Sequence, residues 1–342
     1  MFLDPVERER ILSKPALIFF IDGVRTIIPD AFCVIYVFLL IVCTFLTILV
    51  FLFSTMNRVY HRNLKRIYQL GVLVWFVLIV SKILVLVTQR WYFEKDVPTP
   101  TGISILTIAA FFRFFYVFFF VSTPLCIIIE RTIATFFLID YERHQRPWIF
   151  WSIFLTNFSI ATCFSSLIIQ ELVSIRLFTL SILSTLMLSI ILYTSLYWYN
   201  SRRFDSLEKQ HHRIIIVSSS HTYTLSTKYQ LKENLVTLKS MRSLLCVILI
   251  AIFTILMANL VPMLLRMEVE STWPIHVFND IVYHFSPLYT SPACLYFIPQ
   301  NRELIGGRLG LRKTSSPGHV IAQANEGDVY FNMFQKSLTS KY

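Results

Sequence analysis

The sequence predicts an all-α membrane protein, a bundle of seven transmembrane helices with its amino terminus outside and its carboxyl terminus in the cytoplasm. Three observations predict it. Of 342 residues, 55% are hydrophobic and only 15% charged, with a mean hydropathy of +0.62, whereas a soluble domain keeps about 25% charged residues. Apolar runs long enough to cross a bilayer recur along the chain. The loops that join them carry Lys and Arg densely on one side only.

A hydrocarbon core needs roughly 20 apolar residues per helix. Runs of that kind lie at Ala31–Phe53, Gln69–Thr88, Ile103–Ile129, Trp148–Ile169, Leu177–Tyr199, Ser243–Leu265 and Ile275–Ile298. The alternating segments of an outer-membrane barrel are absent, so the spans are helices. Residues 1–30 mix acids and bases around the short apolar patch PALIFFI, with no small-residue cleavage site after it; this reads as an outer tail, not a cleavable signal peptide. The spans occupy 31–299, and residues 300–342 form a cytoplasmic tail.

Orientation comes from loop charge. Arg58, Arg62, Lys65 and Arg66 follow span one; Arg131, Arg143 and Arg146 follow span three. Arg202, Arg203, Lys209, Arg213, Lys228, Lys232, Lys239 and Arg242 follow span five. The opposite loops hold only Arg90 and Lys95, then Arg176, then Arg266. The basic loops belong in the cytoplasm, and the net charge of +11 is mostly this signature plus attraction to anionic membrane lipids, not a nucleic-acid footprint. All six cysteines fall inside spans, so no outer disulfide is expected. Asn157-Phe158-Ser159 lies in mid-span and is a chance match to a glycosylation site.

Chemistry concentrates in three places. The sixteen residues Phe114 to Ile129 carry no charge, and Glu130–Arg131 follow them at the cytoplasmic end of span three. A guanidinium there snorkels, pairs with its neighbouring carboxylate, or inserts between helices; position alone favours a boundary pair. Next, Thr227-Lys228-Tyr229-Gln230 has capping-box spacing and starts a helix toward span six. Along it Lys228, Lys232, Lys239 and Arg242 form one cationic face, suited to lipid headgroups or to an intracellular protein contact. Last, Lys82, Arg113 and Asp280 are ionisable residues inside spans, all in the outer half, with His284 one turn below Asp280. Lys82 reads as snorkelling outward and Arg113 as buried. Prolines 124, 262, 287 and 292 fall inside spans and can kink them.

Nothing supports an enzyme. His211, His212 and His221 lack partners at metal-ligand spacing, and no phosphate loop, His-Glu-x-x-His or nucleophile elbow occurs. No metal or cofactor is expected.

Two separate stretches carry a family resemblance. ERTIATFFLIDYERHQRPWI resembles the segment after span three of the nematode serpentine receptors, chemosensory seven-helix receptors, with class epsilon fitting best through Glu130, Arg131, Ala134, Thr135, Asp140, Tyr141 and Glu142. YTLSTKYQLKENLVTLKSM resembles that family's entry to span six, through Leu225, Ser226, Tyr229, Gln230, Glu233 and Asn234. The resemblance covers Ala31 to Pro299. It implies a G-protein-coupled chemoreceptor of the plasma membrane, in sensory neurons, that binds a small-molecule cue in its outer half and activates a heterotrimeric G protein. Glu130–Arg131 then takes the place of the acid–arginine pair of rhodopsin-like receptors. Two features depart from those receptors: no cysteine opens span three on the outside, and span seven reads Ser291-Pro292-Ala293-Cys294-Leu295-Tyr296, with three residues between proline and tyrosine. The rival reading is a transporter or ligand-gated channel that uses Lys82, Arg113 and Asp280 as a permeation path.

Overall fold

The structure, a computed structural model, describes residues 30–56, 62–91, 93–94, 97–137, 146–214, 231, 234–239, 241–242, 245–254, 278 and 281–297. Its helices are α1 (Asp30–Met56), α2 (Arg62–Leu73), α3 (Trp75–Trp91), α4 (Pro100–Phe136), α5 (Pro147–Ile169), α6 (Ile175–Ile214), α7 (Leu245–Thr254) and α8 (Ser286–Phe297). A two-stranded antiparallel ribbon, β1 (Phe93–Glu94) with β2 (Val97–Pro98), lies between α3 and α4.

Among the described residues, five helical stretches are long and apolar enough to cross a membrane: Val34–Met56, Arg62–Thr88, Pro100–Phe136, Pro147–Ile169 and Leu177–Ser206. They match the first five predicted runs. Of the sixth and seventh runs, α7, residue 278 and residues 281–297 are the described parts. The helices overrun the apolar runs at several ends, which corrects the loop assignment of some basic residues. Arg62, Lys65 and Arg66 lie on α2, Arg131 on α4, and Arg202 and Arg203 on α6. The physical reason is that an apolar run marks only the part of a helix within the hydrocarbon. A 37-residue helix such as α4 is roughly 55 Å long at the helical rise, against a core of about 30 Å.

Helix α4 is the axis of the bundle, in contact with α2, α3, α5 and α6, while α1 packs on α2 and α8. Its start is set locally: Thr99 caps it through Oγ1, which accepts from the Gly102 amide at 3.2 Å, and Pro100 fills the first turn, where no amide is needed. Its aromatics split between core and surroundings. Phe115, Tyr116, Phe118 and Phe119 are buried with Trp75 and Leu78. Phe38, Ile41 and Phe45 of α1, Trp148 of α5 and Leu180 and Ile191 of α6 point outward, as a lipid-facing surface requires.

Between apolar helices in lipid, close packing and hydrogen bonds replace the hydrophobic drive. Gly71 supplies a close approach: a Cβ there would lie 2.9 Å from Thr123 Cγ2 on α4. Three residues later the second span bends at Val74, whose carbonyl accepts from the Val77 amide at 3.0 Å. Asn157 is buried and accepts from Ser122 Oγ at 2.6 Å, joining α5 to α4. Its place is internal, in keeping with a chance sequon.

Span seven breaks at Phe285, just ahead of Pro287. Proline has no amide to give the Tyr283 carbonyl, and the Leu288 amide turns to Phe285 O at 2.9 Å instead of reaching His284 O. Side chains fill the gap. Trp75 Nε1 donates to His284 O at 3.2 Å and Tyr289 Oη to Val282 O at 3.2 Å, the re-satisfaction that a kinked membrane helix demands.

α1 and α4 end, and α2 and α5 begin, at one end of the bundle, called here the Arg131 end. Lys65 Nζ donates to Thr55 O, Asn63 Nδ2 to Arg146 O at 3.1 Å, and the Arg66 guanidinium lies 5.6 Å from the Phe150 ring centre. The β-ribbon and the turn at Glu171, which has φ of 60°, mark the opposite, ribbon end.

Candidate functional site at the Arg131 end

Helix α4 carries Glu130, Arg131 and Thr135 into the bundle one turn from its end. Glu130 is 0% and Arg131 3% exposed, so this is not a solvated boundary pair. Adjacent helical side chains normally diverge by about 100°, yet here the guanidinium folds back onto the carboxylate: Nε meets Oε2 at 2.6 Å and Nη2 meets Oε1 at 2.8 Å. Such a two-pronged bond is the strong form of an arginine–carboxylate contact. The third guanidinium nitrogen, Nη1, donates to Asn234 Oδ1 at 3.1 Å, on the segment leading to span six.

A second layer lies one turn along. Thr135 Oγ1 donates to the Arg131 carbonyl at 2.8 Å and accepts from Asn200 Nδ2 of α6 at 3.3 Å and from Asn234 Nδ2 at 3.5 Å. Asn200 is fully buried, and its Oδ1 has no hydrogen-bond partner among the described residues. Tyr193 Oη on α6 donates to Leu238 O at 3.0 Å. Three chain segments thus meet at one buried charge pair. Two carboxylate oxygens and the Asn234 amide oxygen hold the permanent cation, and the Thr135 hydroxyl with the two asparagine amides forms the layer beside it.

The predicted basic stripe is described only in part. Lys239 and Arg242 are exposed, three residues apart on one helical face; Lys228 and Lys232 lie outside the described residues. Asn200 was missed by sequence reasoning, because an asparagine at the end of an apolar run looks like an ordinary boundary residue. Thr135 and Asn234 stood out only as points of resemblance, without a role.

At the ribbon end the outer-half group is partly assembled. Lys82 is buried, with Nζ 4.8 Å from the centre of the Tyr36 ring on α1, which corrects the outward-snorkelling expectation. The reason is that Tyr36 offers the ammonium an aromatic face inside the bundle. His284 is buried beside the same tyrosine, ring centres 6.2 Å apart. Arg113 is half-buried, its guanidinium 5.6 Å from the Tyr283 ring centre. The structure therefore brings Lys82 and His284 together through Tyr36 and seats Arg113 next to His284's chain neighbour. Asp280 lies outside the described residues.

Comparison with known proteins agrees with the two quoted motifs. The description "Sre G protein-coupled chemoreceptor" matches residues 16–339. The chain is 29% identical over 315 residues to serpentine receptor class epsilon-21 of Caenorhabditis elegans, covering 88% of this chain and 84% of that one. It is also 23% identical over 314 residues to serpentine receptor class epsilon-38 of the same organism, covering 82% and 84%. A multi-pass bundle of apolar helices, a buried acid–arginine pair and a match over nearly the whole length agree: the chain belongs to the Sre family of G protein-coupled chemoreceptors.

Proposed function

We propose that the protein is a seven-span chemosensory receptor of the plasma membrane in sensory neurons, its amino terminus outside, residues 31–299 forming the bundle and 300–342 a cytoplasmic tail. It binds a small chemical cue in the half that holds Lys82, Arg113, Asp280 and His284, and it activates a heterotrimeric G protein at the Arg131 end. The observation that carries this reading is the bond from Arg131 to Asn234 beside a carboxylate that closes the rest of the guanidinium.

The device works as follows. Arg131 cannot lose its proton, so it must always be paired. In the arrangement described, Glu130 and Asn234 pair it, and the third span is tied to the approach of span six. A cue that favours separation of those spans breaks the Asn234 bond, costing about 1.5–3 kcal/mol for a hydrogen bond to a charge. That cost sets the differential affinity the cue must supply. Separation opens a cleft in which the guanidinium faces a partner, with Lys239 and Arg242 beside it. Loop basicity and anionic lipid hold the same surface at the headgroup level.

The test is nucleotide exchange on a purified G protein with the receptor in a bilayer, using Arg131→Ala and Glu130→Gln. Loss of exchange in the first and raised basal exchange in the second support the reading. Exchange at the parent level in both leaves the pair as a packing device only.

A further inference from the structure

A cavity with about 770 Å³ of space, part of it open to the surroundings, lies on the Arg131 side of Tyr116, between α1, α2, α3, α4, α7 and α8. Its walls include Val50, Trp75, Phe120, Ile127, Met241 and Ile248, and no charged side chain lines it among the described residues. A smaller cavity of about 420 Å³ adjoins it, and both are bounded by Tyr116, Phe120 and Ser286. Neither space is lined by Lys82, Arg113 or His284.

The walls carry seven hydroxyls, those of Thr47, Tyr68, Tyr116, Thr123, Ser286, Thr290 and Ser291. Thr47, Thr123 and Thr290 each donate to a carbonyl of their own helix, at 2.8 Å in every case. They offer no donor to an occupant. Tyr116 and Ser286 differ. Both are buried, and their oxygens lie 3.0 Å apart, joined by one hydrogen bond whose donor is either of the two. Two hydroxyls hold two protons, and one bond uses one of them. Whichever group donates, the other O–H remains, and no second acceptor for it occurs among the described residues. A buried donor left over favours an occupant with an oxygen to accept it. An ion finds no countercharge here and pays its full desolvation; a pure hydrocarbon leaves the donor unused.

We infer that this cavity is a second binding site, distinct from the outer-half group, for a neutral lipophilic molecule that carries at least one acceptor oxygen, as a ketone or alcohol. The site needs only the cavity and does not depend on G-protein coupling. Two sources share that chemistry, a sterol from the bilayer and a free apolar ketone or alcohol dissolved in it.

The test uses the full chain in phosphatidylcholine nanodiscs, irradiated with benzophenone, itself a neutral apolar ketone that inserts into nearby C–H bonds. Peptide mapping is expected to find the label at Met241 and in the 286–294 stretch. A linear dodecanone should displace it at roughly five-fold lower concentration than dodecane, the worth of about one neutral hydrogen bond. The double variant Tyr116→Phe/Ser286→Ala, which removes both hydroxyls of the pair, should erase that preference while leaving labelling in place, and Val50→Phe, which fills the space, should suppress labelling. Displacement by cholesterol added to the nanodisc assigns the site to a bilayer sterol; displacement by dodecanone alone assigns it to a free ketone. Label confined to outward residues such as Phe38 and Ile41, or equal displacement by dodecane and dodecanone in the parent protein, overturns the inference even if Val50→Phe fails to fold.

Discussion

Arg131 reaches Asn234 at 3.1 Å across 103 positions of sequence, and the bond ends on a neutral amide oxygen rather than on a second carboxylate. A neutral acceptor makes a weaker tie than an ion pair would. The guanidinium already has its countercharge in Glu130, so the link to the span-six segment can open without stranding a buried cation.

That difference predicts the effect of strengthening the tie. Asn234→Asp places a second carboxylate at the guanidinium and should hold the spans together, lowering basal and agonist-driven nucleotide exchange about ten-fold, while Asn234→Ala should raise the basal rate. Hydrogen bonds to charge are worth about 1.5–3 kcal/mol, enough for such a shift. Equal exchange in both variants at equal surface expression would mean that Asn234 does not restrain the receptor.

The Gly71–Thr123 contact makes a prediction about packing alone. An added methyl at Gly71 must displace Thr123 Cγ2 from 2.9 Å, so Gly71→Ala should destabilise the bundle by about 1–3 kcal/mol. Thr123→Ser removes the opposing methyl, and the double variant should recover most of the loss. Thermal unfolding in nanodiscs measures both. A double variant no more stable than Gly71→Ala would show that the strain is relieved elsewhere.

The turn at Glu171 adds a smaller effect of the opposite sign. Its φ of 60° is in the left-handed region, where a side chain is disfavoured by about 1 kcal/mol. Glu171 is exposed, so Glu171→Gly should leave stability unchanged or raise it by up to about 1 kcal/mol, and Glu171→Val should lower it. The same unfolding assay ranks the three.

Topology has its own test. A glycosylation acceptor inserted beside Pro98, in the ribbon between spans two and three, should be modified in microsomes; one inserted beside Gln210, on the far extension of α6, should not. The reverse pattern would place the Arg131 end outside and sink the coupling proposal.

These cases also show what a single sequence discloses. Long apolar runs reveal membrane helices because the bilayer imposes one length and one composition on each of them. Helix ends beyond the hydrocarbon obey no such rule, which is why Arg62, Lys65 and Arg66 read as a loop although they sit on α2. Glu130 and Arg131 were legible because charge beside a sixteen-residue neutral run is costly. Asn200 was not, since the value of a buried amide depends wholly on what other helices bring to it. The Lys82 ammonium was misread for the same reason: its partner Tyr36 is 46 positions away, on another span.

The last prediction concerns that ammonium and the class of cue. If Lys82, Arg113, Asp280 and His284 share one outer-half space, their fixed charges amount to two positive and one negative, with histidine neutral. A site with that balance gains from an anionic or acceptor-rich group more than from an amine. Tyr36 and Tyr283, which face the Lys82 and Arg113 cations, and the phenylalanines around Arg113 would then supply the apolar wall of such a site. Responses to a panel of small carboxylic acids, the matching amides and the matching amines should therefore fall mainly among the acids. Lys82→Gln and Arg113→Gln should each reduce acid potency ten-fold or more, while responses to amides change little. Surface expression measured in the same cells separates this from misfolding. A panel in which amines are the active members, or in which both variants lower acid and amide potency alike at normal expression, would assign Lys82 and Arg113 to holding spans together and leave the class of cue unconstrained by them.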